Sequence, residues 1–234
     1  MSDYSFVLNV SAINNKRFFY RVIGYLLACL AVAQFATMAI SFMLHDKAFW
    51  SFLLSALVTA GAGAALLVRS GGATELKKRY LFLLTTLCWL SVCAFAALPL
   101  YLSLPQLSMT DAWFEAVSAI TTTGSTVLSG LDTMPKAVLL WRAILQWIGG
   151  IGIIVMAIAI LPALKIGGMK LFKTESSDIS EKILPRSSSL SSSILLVYLG
   201  ISVAAAVSYY AGGMSLFDAI THAMTSAATG GFAN

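Results

Sequence analysis

The sequence predicts an all-α integral membrane protein built on an internal repeat, and three observations carry that prediction. Of 234 residues, 59% are hydrophobic and only 11% are charged, with a mean hydropathy of +0.85, outside the range of soluble domains. Five apolar runs reach or approach the length needed to cross a bilayer. Two seventeen-residue segments, 107 positions apart, align without a gap.

The spans are expected at about 18–44, 48–68, 80–102 and 137–161, with a fifth at about 194–210 near the lower limit. A spanning helix needs roughly 17–25 apolar residues. Lipid offers no partner to backbone polar groups, so each run must satisfy its own as a helix. Lys16, Arg17 and Arg21 give the first run the look of a secretory leader. Its apolar length exceeds an h-region of about 7–15 residues and no clear A-x-A site follows, so it is read as a retained helix.

Basic residues set the orientation. Lys16, Arg17 and Arg21 precede the first span, Arg69, Lys77, Lys78 and Arg79 follow the second, and Lys165, Lys170, Lys173, Lys182 and Arg186 follow the fourth. The other regions hold only Lys47, Lys136 and Arg142. Twelve against three puts the N terminus and the even-numbered connections in the cytoplasm. That distribution explains the net charge of +5, and nucleic acid is not needed as a partner. Cys29, Cys88 and Cys93 fall in spans and are expected to be small packing residues.

Residues 103–136 start and finish outside. Thr110–Ile120 reads as a helix too short to cross, opened by an S-x-x-D signal at Ser108 and Asp111. The chain then runs through "TTTG" (121–124) and returns past Leu131, Asp132 and Pro135. Alone, this stretch fits either a re-entrant segment or an amphipathic surface helix. The second copy favours re-entry. "SMTDAWFEAVSAITTTG" (108–124) and "SLFDAITHAMTSAATGG" (215–231) share six of seventeen positions, among them Asp111/Asp218, Thr122/Thr229 and Gly124/Gly231. Repeats of this kind mark channel and transporter architecture.

The repeat also supplies a chemistry. A potassium ion sheds its hydration shell only where fixed oxygens replace it, as rings of backbone carbonyls do. Glycine allows the positive φ that turns successive carbonyls to one side, and threonine adds a hydroxyl on a stiff branched carbon. A short helix ending at the loop turns its partial negative charge toward a cation. The loop is therefore expected to form one wall of an ion-selectivity filter.

The stretches "FEAVSAITTTGSTVLSGLDTMP" (114–135), "WRAILQWIGGIGIIVMAIAILPAL" (141–164), "GGMKLFKTESSDISEKILPRSS" (167–188) and "DAITHAMTSAATGGF" (218–232) resemble the TrkH family of the Trk/Ktr/HKT superfamily of potassium channels and transporters. The resemblance implies repeated helix–pore-loop–helix units of a potassium-channel-like pore, preceded by an extra two-helix pair. The expected division is an N-terminal pair at 1–70, a first repeat at 71–163, a cytoplasmic linker at 164–193 and an incomplete second repeat at 194–234. Gly124 and Gly231 would be the filter glycines, with Thr121, Thr122 and Thr123 lining one strand and Ala228, Thr229 and Gly230 the other. Carbonyls of Thr122, Thr123, Gly124, Thr229, Gly230 and Gly231 would hold the transported potassium, with no cofactor in this chain. Family members carry four repeats, so the chain is expected to be the N-terminal portion of a longer protein. The resemblance further implies a bacterial inner-membrane location, a homodimer and a cytoplasmic nucleotide-binding regulatory subunit of the TrkA type.

Other residues have two readings. Asp111 and Asp218 start the short helices; Glu115 and His222 share a repeat position inside them. Ionisable groups at membrane depth either meet an ion or anchor the filter backbone by hydrogen bonds. Arg142 is expected to snorkel to the outer interface beside Trp141 and Trp147, a role steering cations being the alternative. "GGIG" (149–152), like Ala60 and Ala64, is expected to let helices approach closely. The polar 164–193 segment is either a solvated linker or a docking surface for the regulatory partner. An ion-coupled secondary transporter, symporting potassium with sodium or protons, remains the alternative function. An integral-membrane enzyme would need a catalytic cluster that the spans do not offer, so no enzymatic activity is expected.

Overall fold

The computed structural model describes residues 2–71, 80–164 and 187–232. Lys77, Lys78, Arg79 and the stretch 165–186, with its five basic residues, lie outside them. The described elements are α1 (Ser2–Met43), α2 (Phe49–Ser70), α3 (Leu81–Ser103), α4 (Met109–Ile120), a 3-10 turn (Leu131–Thr133), α5 (Lys136–Leu164), α6 (Ser187–Ala211) and α7 (Leu216–Ala227). Among the described residues, α1, α2, α3, α5 and α6 each contain a stretch long and apolar enough to cross a membrane. The first and fifth spanning stretches fall where expected, at Lys16–Met43 and Ser193–Ala211, inside longer helices. The first helix begins at Ser2, and α6 begins at Ser187, so the serine run 187–193 is helical. Serine is a modest helix former but a good first residue, where its hydroxyl can serve a free N–H.

The structure divides into two compact units: Met1–Ser118 with Ser125–Leu145, and Ala119–Gly124 with Gln146–Asn234. In the first, α1 and α2 form a hairpin whose backbones meet at Gly24 and Gly63. A Cβ built on Gly63 would lie 3.2 Å from the Gly24 carbonyl oxygen. The close approach is made by Gly63, whereas Ala64 beside it is exposed. Glycine wins here because it alone leaves no Cβ in the seam.

A proline explains a second contact. Pro99 lies inside α3 and has no N–H, which leaves the carbonyl four residues earlier, on Phe95, without its helical donor. Gln34 of α1 supplies one, its Nε2 donating to the Phe95 oxygen at 3.0 Å. An unmet carbonyl in an apolar setting costs about 1–3 kcal/mol, so this bond offsets part of the cost of burying the glutamine, whose own Oε1 has no partner among the described residues. Nearby, Trp141 Nε1 donates to the Ala96 carbonyl at 3.0 Å and its ring meets Phe52 edge-on at 5.9 Å. Asp46, in the α1–α2 turn, accepts from Ala137 N at 2.9 Å and so satisfies a free donor in the first turn of α5.

Cysteines divide by face: Cys93 is buried, Cys88 half-buried and Cys29 exposed, all as free thiols. Cys29 is therefore not a packing residue within this chain.

In the second unit α6 and α7 form a hairpin through Gly212–Ser215. Tyr198 of α6 donates its hydroxyl to the Trp147 carbonyl at 3.0 Å, and Trp147 Nε1 donates to Ser202 Oγ at 2.9 Å. Gly149 and Gly150 of "GGIG" do permit close approach. A Cβ on Gly149 would collide with the Ile120 carbonyl, and one on Gly150 would lie 2.7 Å from the Tyr198 hydroxyl.

Candidate functional site

The two repeat copies fold alike, residue for residue. Each short helix has twelve residues, and each opens with the same serine–aspartate pair. Ser108 Oγ accepts from Asp111 N at 3.1 Å and donates to Asp111 Oδ2 at 2.7 Å. Ser215 and Asp218 repeat this at 3.2 and 2.7 Å. Each aspartate thus also sits in the first turn, where the helix dipole favours negative charge.

The helices end alike as well. Thr122 N donates to the Ala119 carbonyl at 3.0 Å, and Thr229 N donates to Ser226 at 2.9 Å, with Gly230 N reaching Thr225 at 3.0 Å. The second set is a Schellman motif, whose left-handed position is normally glycine. Here it is a threonine in both copies: Thr122 and Thr229 each have φ +55°. A β-branched residue in that region is a backbone outlier, at roughly 1–2 kcal/mol. Two residues later the left-handed region recurs, at Gly124 (φ +78°) and Gly231 (φ +72°). The same left-handed pattern is thus held in both copies, 107 positions apart.

Within the second unit these loops meet. A Cβ on Gly124 would strike the Gly230 carbonyl, and one on Gly230 would lie 2.5 Å from the Gln146 amide carbon. Thr121 and Thr123 share a hydrogen bond between their Oγ1 atoms at 2.8 Å. Thr121, Thr123, Thr229 and Gly231 are exposed, while Ala228, the C-cap of α7, and Gly230 are buried.

The segment after Gly124 is anchored in the first unit by Glu115. This carboxylate is fully buried and accepts from Thr126 Oγ1 at 2.9 and 3.1 Å and from Val127 N at 3.1 Å. Arg142 Nε donates to the same carboxylate at 2.8 Å, and Arg142 Nη2 donates to Thr126 Oγ1 at 3.2 Å. The snorkelling expected of Arg142 is therefore overturned: only 1% of it is exposed, and Trp141 beside it is buried too. A guanidinium at this depth needs a carboxylate more than it needs the interface. Its partner lies 27 residues away, and no local spacing reveals it.

His222, the counterpart of Glu115, behaves differently. Its Nδ1 is 2.9 Å from the Asp218 carbonyl and its ring faces Tyr209 at 6.1 Å. The residue that sequence reading missed is Gln146. A polar side chain inside an apolar span was the available signal.

Comparison with known proteins places this geometry in context. Residues 47–233 match the family model TrkH, described as a cation transport protein. The chain is 55% identical over 179 residues to the Trk system potassium uptake protein TrkI of Halomonas elongata, covering 76% of this chain and 36% of that protein. It is 40% identical over 216 residues to the Trk system potassium uptake protein TrkH of Vibrio parahaemolyticus, covering 91% and 44%. The crystal structure of the potassium transporter TrkH from Vibrio parahaemolyticus superposes with a TM-score of 0.80 at 38% identity, over 93% of this chain and 44% of that one. The chain thus spans less than half the length of the relatives it matches.

Proposed function

The chain belongs to the TrkH family of cation transport proteins, and on that premise we propose that it supplies two walls of a potassium filter in a longer uptake protein. The walls are Thr121–Gly124 and Ala228–Gly231, each following a short helix that enters the membrane from outside and turns back. The observation that carries this reading is the paired left-handed threonine and glycine in both copies. Left-handed residues at alternate positions of an extended loop can turn successive carbonyls toward one side, which is what stripping a cation of water requires. Potassium would be held by carbonyls of Thr122, Thr123, Gly124, Thr229, Gly230 and Gly231. Asp111 and Asp218 would fix the helix starts, while Glu115 and His222 would brace the helices from within.

The same premise extends to the whole protein. It would lie in a bacterial inner membrane, pair with a second copy and be gated by a cytoplasmic nucleotide-binding subunit. Names of relatives that place them in a Trk system support a multi-component assembly. Rubidium-86 uptake by the full-length parent in potassium-starved cells tests the function, with and without that subunit. Uptake should be competed by potassium far better than by sodium. No uptake above vector-only cells would overturn the reading. Dependence on a sodium or proton gradient would instead favour symport through the same filter. Light scattering on the solubilised parent should give twice the chain mass; a monomer would remove the pairing.

Orientation is proposed from the basic residues, with the N terminus inside. An impermeant thiol reagent should label Asp132→Cys in intact cells and leave Arg69→Cys untouched, in a background without the native cysteines. The opposite pattern would invert the topology.

A further inference from the structure

The Gln146 carboxamide occupies an unusual place. It is fully buried, and its Oε1 accepts from Phe232 N at 3.3 Å. Its Nε2 has no hydrogen-bond partner among the described residues. The amide also lies flat against Gly230, because a Cβ built there would come within 2.5–2.7 Å of Cδ, Nε2 and Oε1. On the other side, a Cβ built on Gly124 would lie 4.0 Å from Nε2. One side chain of α5 thus backs both repeat loops at the level of Gly124 and Gly230.

A leucine or methionine would fill the same volume and remove the unmet Nε2 donor, but would take the Gln146 acceptor away from the buried Phe232 N–H. The amide therefore contributes something other than packing. Its orientation is fixed by the Phe232 N–H, which requires an oxygen. With that bond made, the planar carboxamide sets how closely the backbone of residues 230–232 approaches α5. The Gly230 carbonyl in turn lies against Gly124. The spacing of the two loops is passed through one glutamine.

We propose that Gln146 is a positioning residue for ion selection, seating the second filter strand at the separation from the first that fits potassium rather than sodium. The proposal rests on the filter reading above. Filter width and carbonyl freedom both govern that preference, so a change in either should move it.

The test is Gln146→Leu in the full-length parent, reading the potassium-to-sodium preference by competition of rubidium-86 uptake, together with membrane abundance. The preference is expected to fall by about threefold or more while abundance stays within about twofold of the parent. Where Gln146→Leu does not accumulate, Gln146→Met, unbranched like glutamine, gives the same reading. Gly124→Ser, measured alongside, separates the two ideas. If Gly124→Ser shifts the preference and both Gln146 variants keep the parental ratio, the positioning role is overturned and the filter stands. If neither position shifts it, the filter reading falls and takes the proposal with it. A loss of abundance at an unchanged ratio in the Met variant also overturns it, since that is what packing alone would give.

Discussion

Gly124→Ser in the full-length parent is expected to lower rubidium-86 uptake about tenfold or more, or to admit sodium, with little loss of protein from the membrane. Two independent effects oppose the new side chain. At φ +78° an L-residue bears roughly 1–2 kcal/mol of backbone strain. Its Cβ would also strike the Gly230 carbonyl, which is backbone and cannot swing aside as a side-chain tip would. One of the two loops must shift, and the carbonyls proposed to hold potassium shift with it. Insertion depends on the apolar spans, which the change leaves alone. Gly200→Ser, with nothing within 4 Å of a built Cβ, is the suitable control. Gly150 is not, because its Cβ would lie 3.2 Å from Ala228 at the start of the second loop. Parental uptake and ion preference in Gly124→Ser would show that these residues do not touch the ion's path.

Arg142→Met should be the most destabilising single change in the first unit, by about 3–5 kcal/mol, because it strands the buried Glu115 carboxylate. Arg142 has Glu115 at 2.8 Å, and both side chains are essentially sealed from solvent. Glu115→Gln with Arg142→Met removes both charges, and the amide oxygen still accepts from Thr126 and Val127. The double variant should therefore recover part of the loss. Thermal melts of the solubilised parent, followed by size-exclusion chromatography, read this directly. Additive losses in the double variant would mean that the two residues act separately and that the ion pair is not what holds residues 126–127.

Much of this architecture was legible in the residues. Five apolar runs became five helices long enough to span, since length and composition alone fix that property. The serine–aspartate starts were legible for a similar reason: a cap is a contact three residues long. Contacts between distant positions were not. Arg142 sits near the start of an apolar helix, where proximity to the water interface is the default expectation. Only the fold brings Glu115 to it. Ala64 is exposed while Gly63 beside it is buried, because the crossing point of two helices depends on rotation about their axes, which spacing alone does not give. The left-handed threonines were equally hidden, since β-branched residues are the last to be expected at positive φ.

The Gln34–Phe95 contact ties the inheritance of one helix to that of another. Pro99 of α3 is tolerable because a side chain from α1 takes the carbonyl that the proline frees. A lineage that lost α1 would have to lose the proline or recruit another donor in the same step. One that lost the proline would release Gln34, leaving a buried amide that drift toward leucine would improve. The two positions should therefore change hands together.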